Sequence, residues 1–246
     1  LGVSGMGLLG FSLAFTQYFF VFIEYGFNLS ATAHVAKIKE NFSEVNEFFW
    51  LVIFTKLILF FLGFIVMCFI VLMVPKLNNI KELIFISYTI AIGSIFFPIW
   101  FLQGIERMEI IAVYNIIGRI ISLLLIFLFV KSALDLNKLL FIYSVTALIP
   151  GIFVLMKLKK ERYIGFPVLP KLTNIWSILK NGWYYFISVA SVSLYSNTNM
   201  VILGFMGSSS AIGYYAGTEK IKTAIVSLTS PFTQAIYPKV NTLMKN

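Results

Sequence analysis

The sequence is poor in almost everything that soluble catalysis or metal binding uses. Of its 246 residues, one is cysteine and one is histidine. Cys68 alone cannot close an internal disulfide, and no Cys/His group has metal-ligand spacing, so neither a metal nor a cofactor is expected. There is no glycine-rich phosphate loop, no GxSxG turn and no close carboxylate pair on one helix face, so the chain does not read as an enzyme. Charged residues are scarce, at 12%, against about 25% in an ordinary soluble domain. That is too little polar surface to cover a water-soluble body. Sustained strand alternation is missing as well, which excludes a barrel.

Apolar residues take the place of what is missing. They make up 59% of the chain, Phe alone contributes 26, and the mean hydropathy is +0.92. A spanning helix needs about 20 mostly apolar residues. Seven such runs occur, at 6–33, 48–74, 83–103, 108–130, 139–156, 184–206 and 211–235. The fold class is therefore an all-α, polytopic transmembrane helix bundle. The net charge of +9 does not point to nucleic acid, because basic nucleic-acid domains are not this apolar. Its distribution points to topology instead. Eleven of the 19 Lys and Arg lie in loops 34–47, 104–107, 157–183 and 236–246, and four lie in the opposite loops. The first set is expected in the cytoplasm, and the short opposite loops leave no room for an outer domain. The amino-terminal run is too long and uncharged for a cleavable signal. Leu1 and the unclosed stretch 237–246 read as parts of a longer chain.

The loop 157–183 is the one domain-like boundary, basic and punctuated by Pro167 and Pro170. Within it Leu172, Ile175, Trp176 and Leu179 share one helical face, which predicts an interfacial helix before the next span. The motif LGxxG recurs at 1–5 and 203–207, which suggests that the chain restarts its pattern after that loop, as in transporters built from repeated halves.

Six charges fall inside spans beyond the first turn: Glu24, Lys56, Arg119, Glu219, Lys220 and Lys222. Each costs about 2.5–3.5 kcal/mol at the bilayer centre on insertion scales, so such groups usually face an interior. Arg119 sits near the middle of its span. Its planar fork suits a phosphate or carboxylate, or it pairs with a buried acid or carbonyl for structure. Glu24 and Lys56 fall at similar depth on antiparallel neighbours, which fits either a structural ion pair or a coupling carboxylate with a cationic partner. Glu219 and Lys222 are three residues apart and can share a face; Lys220 and Lys222 either snorkel or line a cavity. Ser188, Ser191, Tyr195 and Asn199 recur at helical spacing, as helix–helix glue or as a lining for sugar hydroxyls. His34 reads as an interfacial residue, and Pro98 should kink its helix.

Four ordered segments, 98–106 (PIWFLQGIE), 193–204 (SLYSNTNMVILG), 211–221 (AIGYYAGTEKI) and 231–239 (PFTQAIYPK), resemble Wzx-type O-antigen and polysaccharide flippases. These belong to the multidrug/oligosaccharidyl-lipid/polysaccharide exporter superfamily. The resemblance implies a twelve-span transporter in two bundles of six. This chain would then carry spans two to six at 1–156, the cytoplasmic linker at 157–183, and spans seven and eight at 184–246. It also implies a multi-pass protein of the bacterial inner membrane, serving lipopolysaccharide biosynthesis. Its cargo would be an undecaprenyl-diphosphate-linked repeat unit, flipped to the periplasmic leaflet by alternating access through a cationic cavity. A glycan polymerase and a chain-length regulator would be partners, alongside membrane lipid. Burial cost and helical spacing, not a family motif, make Arg119, Lys56, Lys220, Lys222, Ser188, Ser191, Tyr195 and Asn199 candidates for cargo binding, and Glu24 and Glu219 candidates for ion coupling. A drug or lipid exporter of the same superfamily is the alternative, followed by a membrane-embedded polymerase or acyltransferase.

Overall fold

The computed structural model describes residues 2–132, 134–208 and 210–225. Among the described residues every regular element is helical. The helices are α1 (Gly2–Glu24), α2 (Phe27–Ile38), α3 (Phe42–Met73), α4 (Pro75–Asn78), α5 (Lys81–Phe96), α6 (Ile99–Gly104), α7 (Met108–Phe129), α8 (Leu136–Lys160) and α9 (Leu172–Met206). A further helix runs through 210–225. Six spans are long and apolar enough to cross a membrane, and they match the first six runs of the sequence. The seventh run is helical as far as 225; 226–235 lies outside the described residues, as do Lys239 and Lys245 of the last loop.

The two sets of loops gather at opposite ends. At the basic end, Lys39 reaches Glu106 (2.7 Å), and Asn46 bonds Gly165 and Phe166 in the loop after α8. At the other end, Lys76 donates to the Phe205 carbonyl and Asn137 to Glu82. Large apolar side chains face outward: Phe61, Ile65 and Phe69 on α3, and Ile116, Leu123 and Phe127 on α7. In water that surface would aggregate; in lipid it is the solvated side.

Two spans are interrupted at matching positions. The first breaks between α1 and α2, where Tyr25 (φ 46°) and Gly26 (φ 71°) adopt left-handed backbone. The third breaks between α5 and α6 at Phe97-Pro98, where the missing proline N–H ends the ladder as the sequence predicts. The segments beyond the breaks pack on each other. Thr32 of α2 donates to the Trp100 carbonyl of α6 (3.0 Å), and a Cβ on Gly104 would meet Val35 at 2.7 Å. Sequence reading ran the first span unbroken through Gly26, because a glycine in a span is ordinary.

Gly26 is held twice over. A Cβ there would sit 2.8 Å from the Tyr185 backbone of α9, and its φ disfavours every other residue. Gly26→Ala should therefore cost about 1–3 kcal/mol from backbone strain alone, with the steric clash added. Detergent-solubilised protein should melt several degrees lower; an unshifted melting curve would show that the break does not need glycine.

Pro150 lies inside α8 without ending it. It cannot donate to the Thr146 carbonyl. Gly118 of α7 packs on it, where a Cβ would meet the proline ring at 2.8 Å. The expected surface helix at 172–180 is not a separate element. It forms the first turns of the 35-residue α9, because no breaker stands between Lys180 and Trp183 except Gly182, which is buried in the helix against the Tyr25 ring.

Candidate functional site

A cavity of about 540 Å³ opens between α1, α2, α5, α7 and α8. Its polar lining is Glu24, Asn28, Ser94, Asn115, Arg119, Ser122, Tyr143 and Thr146. The backbone irregularities are part of its wall: Glu24 and Asn28 flank the first break, Phe97 and Ile99 flank Pro98, and Pro150 lines it directly. Interrupted helices are tolerated within a bilayer where they are buried in protein or line a wet space. Within the unbroken α8, Pro150 leaves the Thr146 carbonyl without the N–H that would ordinarily reach it.

Arg119 reaches this cavity from α7 together with Asn115 and Ser122, at i−4 and i+3, so the three share a face. Among the described residues Arg119 has no ion-pair or hydrogen-bond partner. Glu24, by contrast, is spoken for. Lys56 of α3 donates to both its carboxylate oxygens, at 2.9 and 2.8 Å, with the lysine side chain 1% and the glutamate side chain 9% exposed. Lys56 stands behind Glu24 and does not line the cavity. The pair cancels its own charge and leaves Arg119 as the cavity's uncompensated cation.

The other residues singled out from sequence lie elsewhere. Ser188, Ser191, Tyr195 and Asn199 are exposed on α9. The opposite face of α9, through Ile175, Gly182, Ser193 and Gly204, is buried. The closest approach is at Gly204, where a Cβ would overlap the Phe11 ring of α1. Tyr18 and Thr198 share a hydrogen bond across the same α1–α9 seam (3.2 Å). Glu219 and Lys222 form the anticipated pair at 3.2 Å, and Lys220 is exposed beside them. None of these lines the Arg119 cavity. Sequence reading missed Asn28, Ser94, Asn115, Ser122, Tyr143 and Thr146. Asn115 and Ser122 stand at i−4 and i+3 from Arg119, the same helical spacing that marks the stripe in 184–206.

The basic end is laced by ion pairs. Arg107 contacts Glu109, the Tyr163 hydroxyl (3.0 Å) and Glu161 (3.4 Å), tying the α6–α7 corner to the end of α8. The hydrogen bond from Lys39, and then its charge, hold the Glu106 carboxyl below the usual carboxylate range. A depressed carboxyl stabilises the fold at neutral pH and loses that contribution as pH falls through its folded value. Both partners are solvent-exposed, so acidification should loosen this corner well before it unfolds the spans; hydrogen exchange at 104–108 would register it. Among the described residues no group of three or more His, Cys, Asp or Glu could hold a metal.

The fold and cavity define a polytopic membrane protein in which two interrupted spans border a largely apolar, open pocket that holds one uncompensated cation among the described residues. The family model described as "Polysaccharide biosynthesis protein" matches residues 1–244, and the chain belongs to that family. It is 34% identical over 244 residues to a protein of Escherichia coli (strain K12) named "Putative O-antigen transporter", an alignment covering 99% of this chain and 59% of that relative. A protein of the same name from Shigella dysenteriae is 28% identical over 221 residues, covering 90% of this chain and 55% of the relative. The chain thus spans little more than half the length of these curated relatives. No solved structure matches it.

Proposed function

We propose that the protein exports polysaccharide, flipping a lipid-linked O-antigen repeat unit from the cytoplasmic to the periplasmic leaflet of the bacterial inner membrane. One observation carries the reading: an unpartnered arginine, with amides and hydroxyls beside it, in a cavity bordered by two interrupted spans and the proline-bearing α8. Moving a diphosphate and a glycan through hydrocarbon would strip water from a charge and from every hydroxyl. A guanidinium fork for the diphosphate, with amides and hydroxyls nearby, substitutes for that water, and no covalent bond changes. Arg119 takes the diphosphate. Glu24, held by Lys56, couples an ion to the cycle. Ser188, Ser191, Tyr195 and Asn199 meet the glycan from α9, and Glu219, Lys220 and Lys222 act at the far end. In this reading the basic end faces the cytoplasm, 157–183 joins two bundles, and a glycan polymerase and chain-length regulator work downstream.

Deleting the gene and restoring it full-length tests this. Without it, lipid-linked repeat units should accumulate facing the cytoplasm and surface polysaccharide should disappear; the restored gene should reverse both. Normal surface polysaccharide in the deletion strain, with no redundant exporter present, would overturn the reading.

A further inference from the structure

The polar face of α9 extends beyond the four residues that the sequence singled out. Asn174, Ser177, Asn181 and Tyr185 continue the Ser188-to-Asn199 stripe toward the basic end in steps of three or four, so one face carries it all. From 174 to 199 it is about 37 Å long, more than the roughly 30 Å of a hydrocarbon core. Every member is neutral and every member is exposed. A strip of amides and hydroxyls this long cannot face acyl chains without leaving group after group unpaired.

At the basic end the strip looks into a second cavity, of about 380 Å³, across which Ser30 and His34 of α2 face it. The His34 ring lies against Phe48, with centroids 4.2 Å apart. Asn174, Ser177, Asn181, Tyr185 and His34 have no side-chain hydrogen-bond partner among the described residues. The lining holds no lysine, arginine or carboxylate. It suits a neutral ligand rich in hydroxyls and does not suit a phosphate. Only the 12-residue α2 separates it from the Arg119 cavity, which Asn28 of the same helix lines.

We propose that this second cavity is an entry subsite for the glycan. It receives the first sugars of the cargo at the cytoplasmic end and hands them along the α9 strip, while the diphosphate goes to Arg119. The proposal rests on the export reading above.

The test uses full-length protein with Cys68→Ala and single cysteines introduced as Ser177→Cys or Asn181→Cys, in inverted membrane vesicles. A membrane-impermeant sulfonated maleimide should label both positions, while Ile175→Cys, on the buried face, stays unlabelled. Lipid-linked oligosaccharide extracted from the same cells should slow labelling about tenfold when present at about ten times its dissociation constant. Inorganic pyrophosphate should not slow it. No labelling at either position would mean that another part of the protein covers the strip, and would overturn the subsite. So would labelling unaffected by the oligosaccharide, or slowed equally by pyrophosphate. Export measured on the same variants separates the two ideas: an exporting protein whose cysteines are never protected sinks the subsite alone, whereas a failed gene-deletion test sinks the export reading itself.

Discussion

Replacing Arg119 by alanine is expected to abolish surface polysaccharide while leaving the amount of protein in the membrane unchanged. Both halves of that result follow from the arginine's surroundings. Among the described residues nothing pairs with Arg119, so its removal orphans no buried acid, and the usual cause of collapse after losing a charge is absent. Its bulk faces a cavity and an exposed helix surface, so little packing goes with it. A diphosphate that loses a charge-assisted, two-pronged partner should lose about 1.5–3 kcal/mol of binding. At tenfold per about 1.4 kcal/mol, that is roughly 10-fold to somewhat over 100-fold. Arg119→Lys keeps the charge but not the fork, and should export at an intermediate rate. Surface polysaccharide visualised on gels, with immunoblots of the membrane fraction, reads both quantities. Full display in Arg119→Ala would remove the cation from the cargo's path. A parallel fall in protein level would make it structural.

Much of the fold could be read from sequence because the bilayer imposes length. Six apolar runs became six spans with little ambiguity, and the loop charges gather at the ends that their counts indicated. Pro98 announced its break because a missing N–H acts wherever it stands. Gly26 did not, because its role depends on a positive φ and on Tyr185 of a helix some 160 residues later, and neither is written locally. The Glu24–Lys56 pair could be anticipated because two opposite charges at one depth have few other partners. Asn115 and Ser122 are not distinctive in the sequence, because a lone neutral amide or hydroxyl costs far less in a span than a charge. The lower half of the α9 stripe was hidden by assigning 171–180 to a separate helix. One rod of 35 residues presents a single face, and cutting it at the basic loop divided that face in two.

The second large effect concerns Glu24 and Lys56. Lys56→Met leaves a carboxylate 9% exposed and unpaired inside the bundle, and Glu24→Leu leaves an ammonium 1% exposed. Breaking a buried pair from one side typically costs about 3–5 kcal/mol, a large share of the roughly 5–15 kcal/mol that holds a typical protein folded. Each single variant should therefore melt well below the parent and reach the membrane in reduced amount. The double variant Glu24→Leu/Lys56→Met removes both charges, fills similar volume, and should recover most of that stability, since an apolar replacement of a buried pair is often neutral or favourable. The costs of the two single changes will then fail to add, as expected for groups in direct contact. Export by the stable double variant decides what the pair is for. Glu24 lines the Arg119 cavity, whereas Lys56 lies behind it, and the coupling role proposed above for the carboxylate requires that position. The double variant should fold, reach the membrane and fail to export. If it exports at the parental rate, the pair only braces α1 against α3, and the coupling group must be sought elsewhere, beginning with Glu219.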